Sequence, residues 1–353
     1  MKKFSMDFID PEFYRSNARK PDFSNILAVL SNKAPKRPTL FEFFMNENLT
    51  AEIALDETDQ IASNIKTFRN AGYDYVTSGI SEFGFKSGEW SKREGSKTGS
   101  LNDRAVITDR DSFNAYSWVE VEDCDFSALD GYARLLPDGM KLMVSGPGGV
   151  LENVIALTGF DNLCYMLADD PELCRDIFDG VGSRLVKYYE RCIPHPAAGI
   201  LMSNDDWGFK TQTMLSTKHM REYVFPWHKR IADVARRYNK PVVLHSCGNF
   251  SEVMEDIIED MGYNGKHSYE DVIMPVEEVY DAYAGRIAIL GGIDLDFIIR
   301  STPEQVYNRS VEMLDRSRRK GGYGLGSGNS IPYYVPLQNY YAMIAAAVVN
   351  TWE

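Results

Sequence analysis

The chain has 353 residues, enough for one large α/β barrel or two average domains and for a core that needs no disulfide staples. Its formal net charge of −13 argues against nucleic acid and anionic membrane surfaces as partners. No apolar run approaches the roughly 20 residues needed to span a bilayer, so a soluble globular protein is expected.

Residues 1–37 read as an N-terminal helical extension. Lys2 and Lys3 have no long apolar run behind them, so no signal peptide is expected. Cys124, Cys164, Cys174, Cys192 and Cys247 show no dense spacing, which fits free thiols in a cytoplasmic protein. From residue 39 onward, short apolar runs alternate with helical segments. Strands are predicted at 39–44, 73–77, 141–145, 199–203, 241–245, 263–267, 286–290 and 322–325. The stretch 84–128 is rich in Ser, Lys, Gly and Asp and longer than a usual connection, so it reads as an insertion at an active site or interface. Helices are expected at 161–167 and 170–185. Another spans 218–238, with a kink or break at Pro226. Thr302-Pro303-Glu304-Gln305 is a capping box with proline at the first helical position, and that helix stops at Gly321-Gly322.

Helices interleaved with eight strands predict a (β/α)8 TIM barrel over residues 38–353, as a single domain. The alternative is a doubly wound sheet, which usually carries a glycine-rich phosphate loop after its first strand. Here the first strand runs into Phe41-Glu42-Phe43-Phe44-Met45-Asn46, with no such loop.

Barrel chemistry gathers at the C-terminal ends of the strands. Pro241-Val242-Val243-Leu244-His245-Ser246-Cys247 is the most informative such end. Residues two apart on a strand share a face, so His245 and Cys247 project together as two potential metal ligands. Zinc usually takes about three or four ligands, so the pair needs completion. His267, Glu152, Asp205, Asp206 and Asp294 are available for that or for substrate. Gly146-Pro147-Gly148-Gly149 leaves room for close approach to the backbone. For each of these residues the plainer reading is a polar loop start, a helix cap or a packed side chain. For His195, His219 and His228 the structural reading dominates. G-x-S-x-G, G-x-x-x-x-G-K-[ST] and H-E-x-x-H are all missing.

Several motifs in fixed order carry a resemblance: Gly146-Pro147, Asn204-Asp205-Asp206-Trp207-Gly208, Leu244-His245-Ser246-Cys247-Gly248-Asn249, Gly291-Gly292-Ile293-Asp294 and Gly322 to Gly328 followed by Ile331-Pro332. From about residue 38 to its end, the chain resembles the uroporphyrinogen decarboxylase superfamily. The resemblance implies a distorted (β/α)8 barrel. Decarboxylases of this family carry an arginine pair after the first strand and a histidine after the last. This chain has neither: it reads Phe41 to Asn46 at the first place and Gly328-Asn329-Ser330-Ile331 at the second.

The motifs are more similar to the corrinoid-dependent methyltransferase branch, where H-x-C and a further cysteine hold zinc. His245 and Cys247 are kept, and Asn329 stands where the cysteine would fall. The resemblance therefore implies methyl transfer between a methylated small molecule, for example a methoxylated one, and a corrinoid carried by a partner protein. It implies Zn2+ on His245 and Cys247, with Asp206, His267 and Asn329 as catalytic residues. Glu152, Asp205, Asp294 and Gly146 would bind substrate. The absent third cysteine tilts the expectation toward the methyl-donor side of the reaction. Two alternatives stay open, a tetrapyrrole decarboxylase and a non-catalytic corrinoid- or tetrapyrrole-binding protein. A barrel of this kind can form a homodimer.

Overall fold

The computed structural model describes residues 1–89 and 99–352. Seven parallel strands form one curled sheet: β1 (Tyr75–Ser78), β2 (Lys141–Ser145), β3 (Ala198–Asn204), β4 (Val242–His245), β5 (Gly265–His267), β6 (Ala288–Leu290) and β7 (Tyr323–Gly324). They pair in sequence order, each beside the next. A doubly wound sheet reverses its order at a switch point, and this one does not. β3 to β6 are buried on both faces, apart from Asn204 and His245 at the strand tips. That matches a parallel sheet wrapped by crossover helices.

The eighth strand expected at 39–44 is reduced to isolated bridges. Leu40 pairs in parallel with Leu325, and Met45 with Ile331. Toward β1 a side chain replaces the backbone ladder: the Tyr75 hydroxyl accepts from Glu42 N–H (2.7 Å) and donates to its carbonyl (2.8 Å). The segment therefore links β7 to β1 without adding a regular strand. The arrangement is consistent with a distorted TIM barrel.

The expected helices form at Phe160–Asp169, Pro171–Cys192 and Pro303–Ser317. Thr302 caps the last one reciprocally with Gln305. At Pro226 the helix breaks as its missing N–H requires: a π-type turn over Met220–Val224 hands over to Phe225–Arg237. Part of the insertion expected at 84–128 lies outside the described residues. Its described C-terminal portion folds against the end of the helix Val150–Thr158, where Val106 and Ile107 both donate to Leu157 O (2.7 and 2.9 Å). Among the described residues no helix is long and apolar enough to cross a membrane.

Candidate functional site

Register places the site. Asn204, His245 and His267 are direct partners across β3, β4 and β5, so their side chains form one row at the C-terminal edge of the sheet. Phe43 packs on the His245 ring (centroids 4.6 Å apart) and Phe41 on His267 (5.1 Å), both from the irregular 39–45 segment. The two imidazoles share a hydrogen bond between their Nδ1 atoms at 2.8 Å.

The direction of that bond follows from its neighbours. His267 Nε2 lies 3.1 Å from the carbonyl of Ser327, which can only accept, so this nitrogen carries the hydrogen. Burial holds His267 down at about 3 and drives His245 well below the usual imidazole range, so both rings are neutral. Neutral His267 then offers a bare Nδ1, and His245 must donate to it from its own Nδ1. That leaves the lone pair of His245 on Nε2. Gly291 makes the row possible. It has φ +69, and a Cβ there would meet Ser327 O at 2.2 Å and the His267 ring at 2.7 Å.

Cys247 lies two residues beyond the end of β4. Its sulfur accepts from the Asn329 amide (3.1 Å) and faces the Ser268 hydroxyl (3.6 Å). Burial and the nearby Asp206 raise the thiol, so it stays protonated at neutral pH. Below the row, the carboxyl of Glu42 is fully enclosed and shares a hydrogen bond with the Ser327 hydroxyl (3.0 Å). Burial pushes it up to about 8. Glu42 and Lys266, both among the polar residues at the predicted strand ends, are buried at this end of the sheet.

The other expected site residues separate into two groups. Asp206 and Glu152 stand together at the rim, lining a cavity of about 150 Å³ with Arg104 and Met214. Each is open to solvent on one side. Crowding around its carboxyl, with the charges of Asp205 and Glu270, raises Asp206 to about 6. Glu152 rises to about 7 for the same reason beside Asp205.

Asp205, Asp294 and Gly146 serve the scaffold. Asp205 accepts from Leu151 N–H (2.9 Å) and Glu152 N–H (2.8 Å) at a helix start and pairs with His228 (2.9 Å). The glycine-rich turn makes room for the protein's own side chains. A Cβ at Gly149 would meet Asp205 at 2.1 Å, and one at Gly146 the Tyr189 hydroxyl at 2.5 Å. Asp294 caps Leu295–Arg300 and accepts from Asp271 N–H (2.9 Å). Its position also lies along a surface groove shared with Asn329.

The sequence model of uroporphyrinogen decarboxylase (URO-D) matches residues 141–348, more than half of the chain. The chain belongs to the URO-D family. Two curated relatives fall on either side of the branch point. Methylated-thiol--coenzyme M methyltransferase of Methanosarcina mazei is 26% identical over 191 residues, covering 54% of this chain and 48% of that protein. Uroporphyrinogen decarboxylase of Anaeromyxobacter sp. (strain Fw109-5) is 24% identical over 234 residues, 64% of each. This URO-D family chain thus spans about half the length of the first and under two thirds of the second. In fold it is similar to a solved methyltransferase from Methanosarcina mazei, with a TM-score of 0.65, 15% identity, and coverage of 93% of this chain and 98% of that one.

A zinc ion completed by protein ligands does not fit the donor set. His245 Nε2 and Cys247 Sγ are suitable donors. At the place of a third ligand stands the Asn329 amide, which points an N–H at the sulfur. Among the described residues no group of three or more His, Cys, Asp and Glu is arranged to hold a metal.

Proposed function

We propose that this chain is a methyltransferase that moves a methyl group between a methylated small molecule and a corrinoid carried by a separate protein. The observation that carries the reading is the neutral pair His245–Cys247, held by His267 and Asn329 at the strand ends. The 41–46 segment holds no arginine to meet a polycarboxylate, and Phe41 and Phe43 pack on the two imidazoles instead. A polyacidic tetrapyrrole needs cationic anchors, and the row offers it neutral imidazoles, a thiol and an amide. The similarity to a methyltransferase in sequence supports the same reading. We further read the 39–45 segment as the eighth stave of a distorted (β/α)8 barrel, which leaves the row at its mouth.

The transfer is a displacement at carbon. The bond from the methyl carbon to the donor heteroatom breaks and its electron pair stays with the heteroatom. The new bond forms with the electron pair of the reduced corrinoid. The departing heteroatom needs a proton or hydrogen bonds. The Cys247 thiol and the Asn329 amide supply donors there, and His245 Nε2 accepts one from a protonated substrate. If zinc binds, His245 and Cys247 would hold it, and it would supply Lewis acidity toward the departing heteroatom.

The test is spectroscopic. The purified chain is mixed with free cob(I)alamin or a corrinoid protein and a panel of methylated ethers, thioethers and amines. Growth of the methylcobalamin spectrum, lost in His245→Ala and Cys247→Ser, is the expected result. Turnover of uroporphyrinogen, with no methyl transfer across the panel, would replace this reading with decarboxylation.

A further inference from the structure

Behind the histidine row, on the other face of β5, lies a feature that the proposed chemistry does not use. Lys266 alternates with His267 along the strand, so its side chain leaves the opposite face and is 1% exposed. Its ammonium sits 4.3 Å from the ring centres of both Phe250 and Tyr269. It donates to the carbonyls of Ser268 (2.7 Å) and Ser246 (3.3 Å). Burial lowers Lys266 to about 7, and in its protonated form the ammonium has a further N–H beyond these two. Lys266 lines a cavity of about 150 Å³ whose walls are largely aromatic and thioether, including Phe250, Met254, Met274 and Tyr269.

The second observation is independent of the lysine. The Tyr269 hydroxyl, on a residue 9% exposed that lines the same cavity, is buried with no hydrogen-bond partner. A buried hydroxyl without a partner costs stability, so its retention calls for a reason. Lys266, set between two rings, and Tyr269, whose enclosed hydroxyl is unpartnered, thus line the same largely apolar chamber. Glu270 stands at its partly open edge and disfavours a second negative charge.

We infer that the Lys266–Tyr269 cavity is a binding site for a small monocarboxylate with an apolar body. The carboxylate accepts from Lys266 Nζ and the Tyr269 hydroxyl, and the body packs against Phe250, Met254 and Met274. Ser268 lines the cavity and also faces Cys247 Sγ (3.6 Å), so a ligand held here lies beside the thiol. As the seat of the substrate's acidic end the site rests on the methyltransferase reading. As a carboxylate site it stands without it.

The experiment is a calorimetric titration of the full chain with benzoate, needing neither corrinoid nor turnover, so failure of the methyl-transfer reading leaves its outcome unchanged. Saturable binding is expected, weakened at least about tenfold by Tyr269→Phe and by Lys266→Met. Tyr269→Phe removes only an unpartnered oxygen and so tests the site even where Lys266→Met disturbs folding. Benzamide, which has the same shape without the charge, is expected to bind at least about tenfold more weakly. No saturable benzoate binding to the wild type, unchanged affinity in Tyr269→Phe, or benzamide binding as tightly as benzoate would each overturn the assignment.

Discussion

Two buried histidine networks lie one strand apart in this molecule, and they end differently. His228 bonds Asp205 through Nε2 (2.9 Å) and meets Tyr263 (2.9 Å) and Ser203 (3.2 Å) through Nδ1. Asp205 in turn accepts two backbone N–H groups of the helix Val150–Thr158. Both ring nitrogens and both carboxylate oxygens are partnered, so this network closes on itself. The other runs from Ser327 O through His267 to His245 and stops at a lone pair on Nε2. A closed network of buried polar groups fixes structure, whereas an open end is available to a ligand.

The comparison breaks most sharply at Asp205. Asp205→Ala leaves His228 Nε2 and two helix-start N–H groups without their partner. It should destabilise the chain by about 3–5 kcal/mol, read as a lowered urea midpoint with unchanged slope. A variant that unfolds at the wild-type midpoint would show that the closed network holds nothing together.

Glu42 gives the next largest effect, through pH. The folded chain keeps the Glu42 proton up to about 8, while the unfolded chain releases it near 4.5. Its contribution to stability is therefore fully present below about 4.5 and is lost as pH rises through about 8. Glu42→Gln stays neutral at every pH. The stability of wild type relative to this variant should fall across that window by an amount on the order of a few kcal/mol. Parallel pH profiles for the two proteins would show that Glu42 is charged when folded.

These contrasts explain which parts of the site could be read from residue order. The helix caps and the H-x-C pair are local patterns, so Thr302, His245 and Cys247 are placed by spacing alone. The alternation of strands and helices likewise suffices for a parallel sheet. The partners of His245 are set by register. His267 lies 22 residues away, and only the pairing of β4 with β5 brings the two rings together. Asp205 shows the opposite problem. A carboxylate at a strand end looks like a ligand, and only the close approach of Gly149 reveals that it clasps a helix start. The eighth strand is reduced to bridges for a related reason. The apolar run at 39–44 has strand composition, but the Tyr75 hydroxyl takes the place of a backbone ladder that composition cannot distinguish.

A smaller effect is expected from His267→Ala. It removes the acceptor that keeps the hydrogen on His245 Nδ1, so the ring is free to change tautomer and rotate. Loss of such a supporting partner typically costs about 10–100-fold in activity or ligand affinity. Methyl transfer should fall by that factor, and the imidazole nitrogen shifts of His245 in NMR should show mixed tautomers. The equivalent change in the closed network, His228→Ala, should act on the unfolding midpoint instead. Wild-type nitrogen shifts for His245 in His267→Ala would sink the relay.

The smallest change to the protein itself is Asn329→Cys, which swaps one partly buried side chain for another of lesser volume. It should move the unfolding midpoint little, because Asn329 donates to a sulfur and to no charged group. Its consequence lies in the donor set. With His245 and Cys247 it completes about three protein ligands, the number a zinc site with an open position uses. Zinc per chain after dialysis against a chelator should be low in the wild type. It should approach about one in the variant, and fall again when His245→Ala is added. Wild-type protein that keeps a full complement of zinc through the chelator would mean that the open network is closed by metal, and the contrast with His228 would disappear.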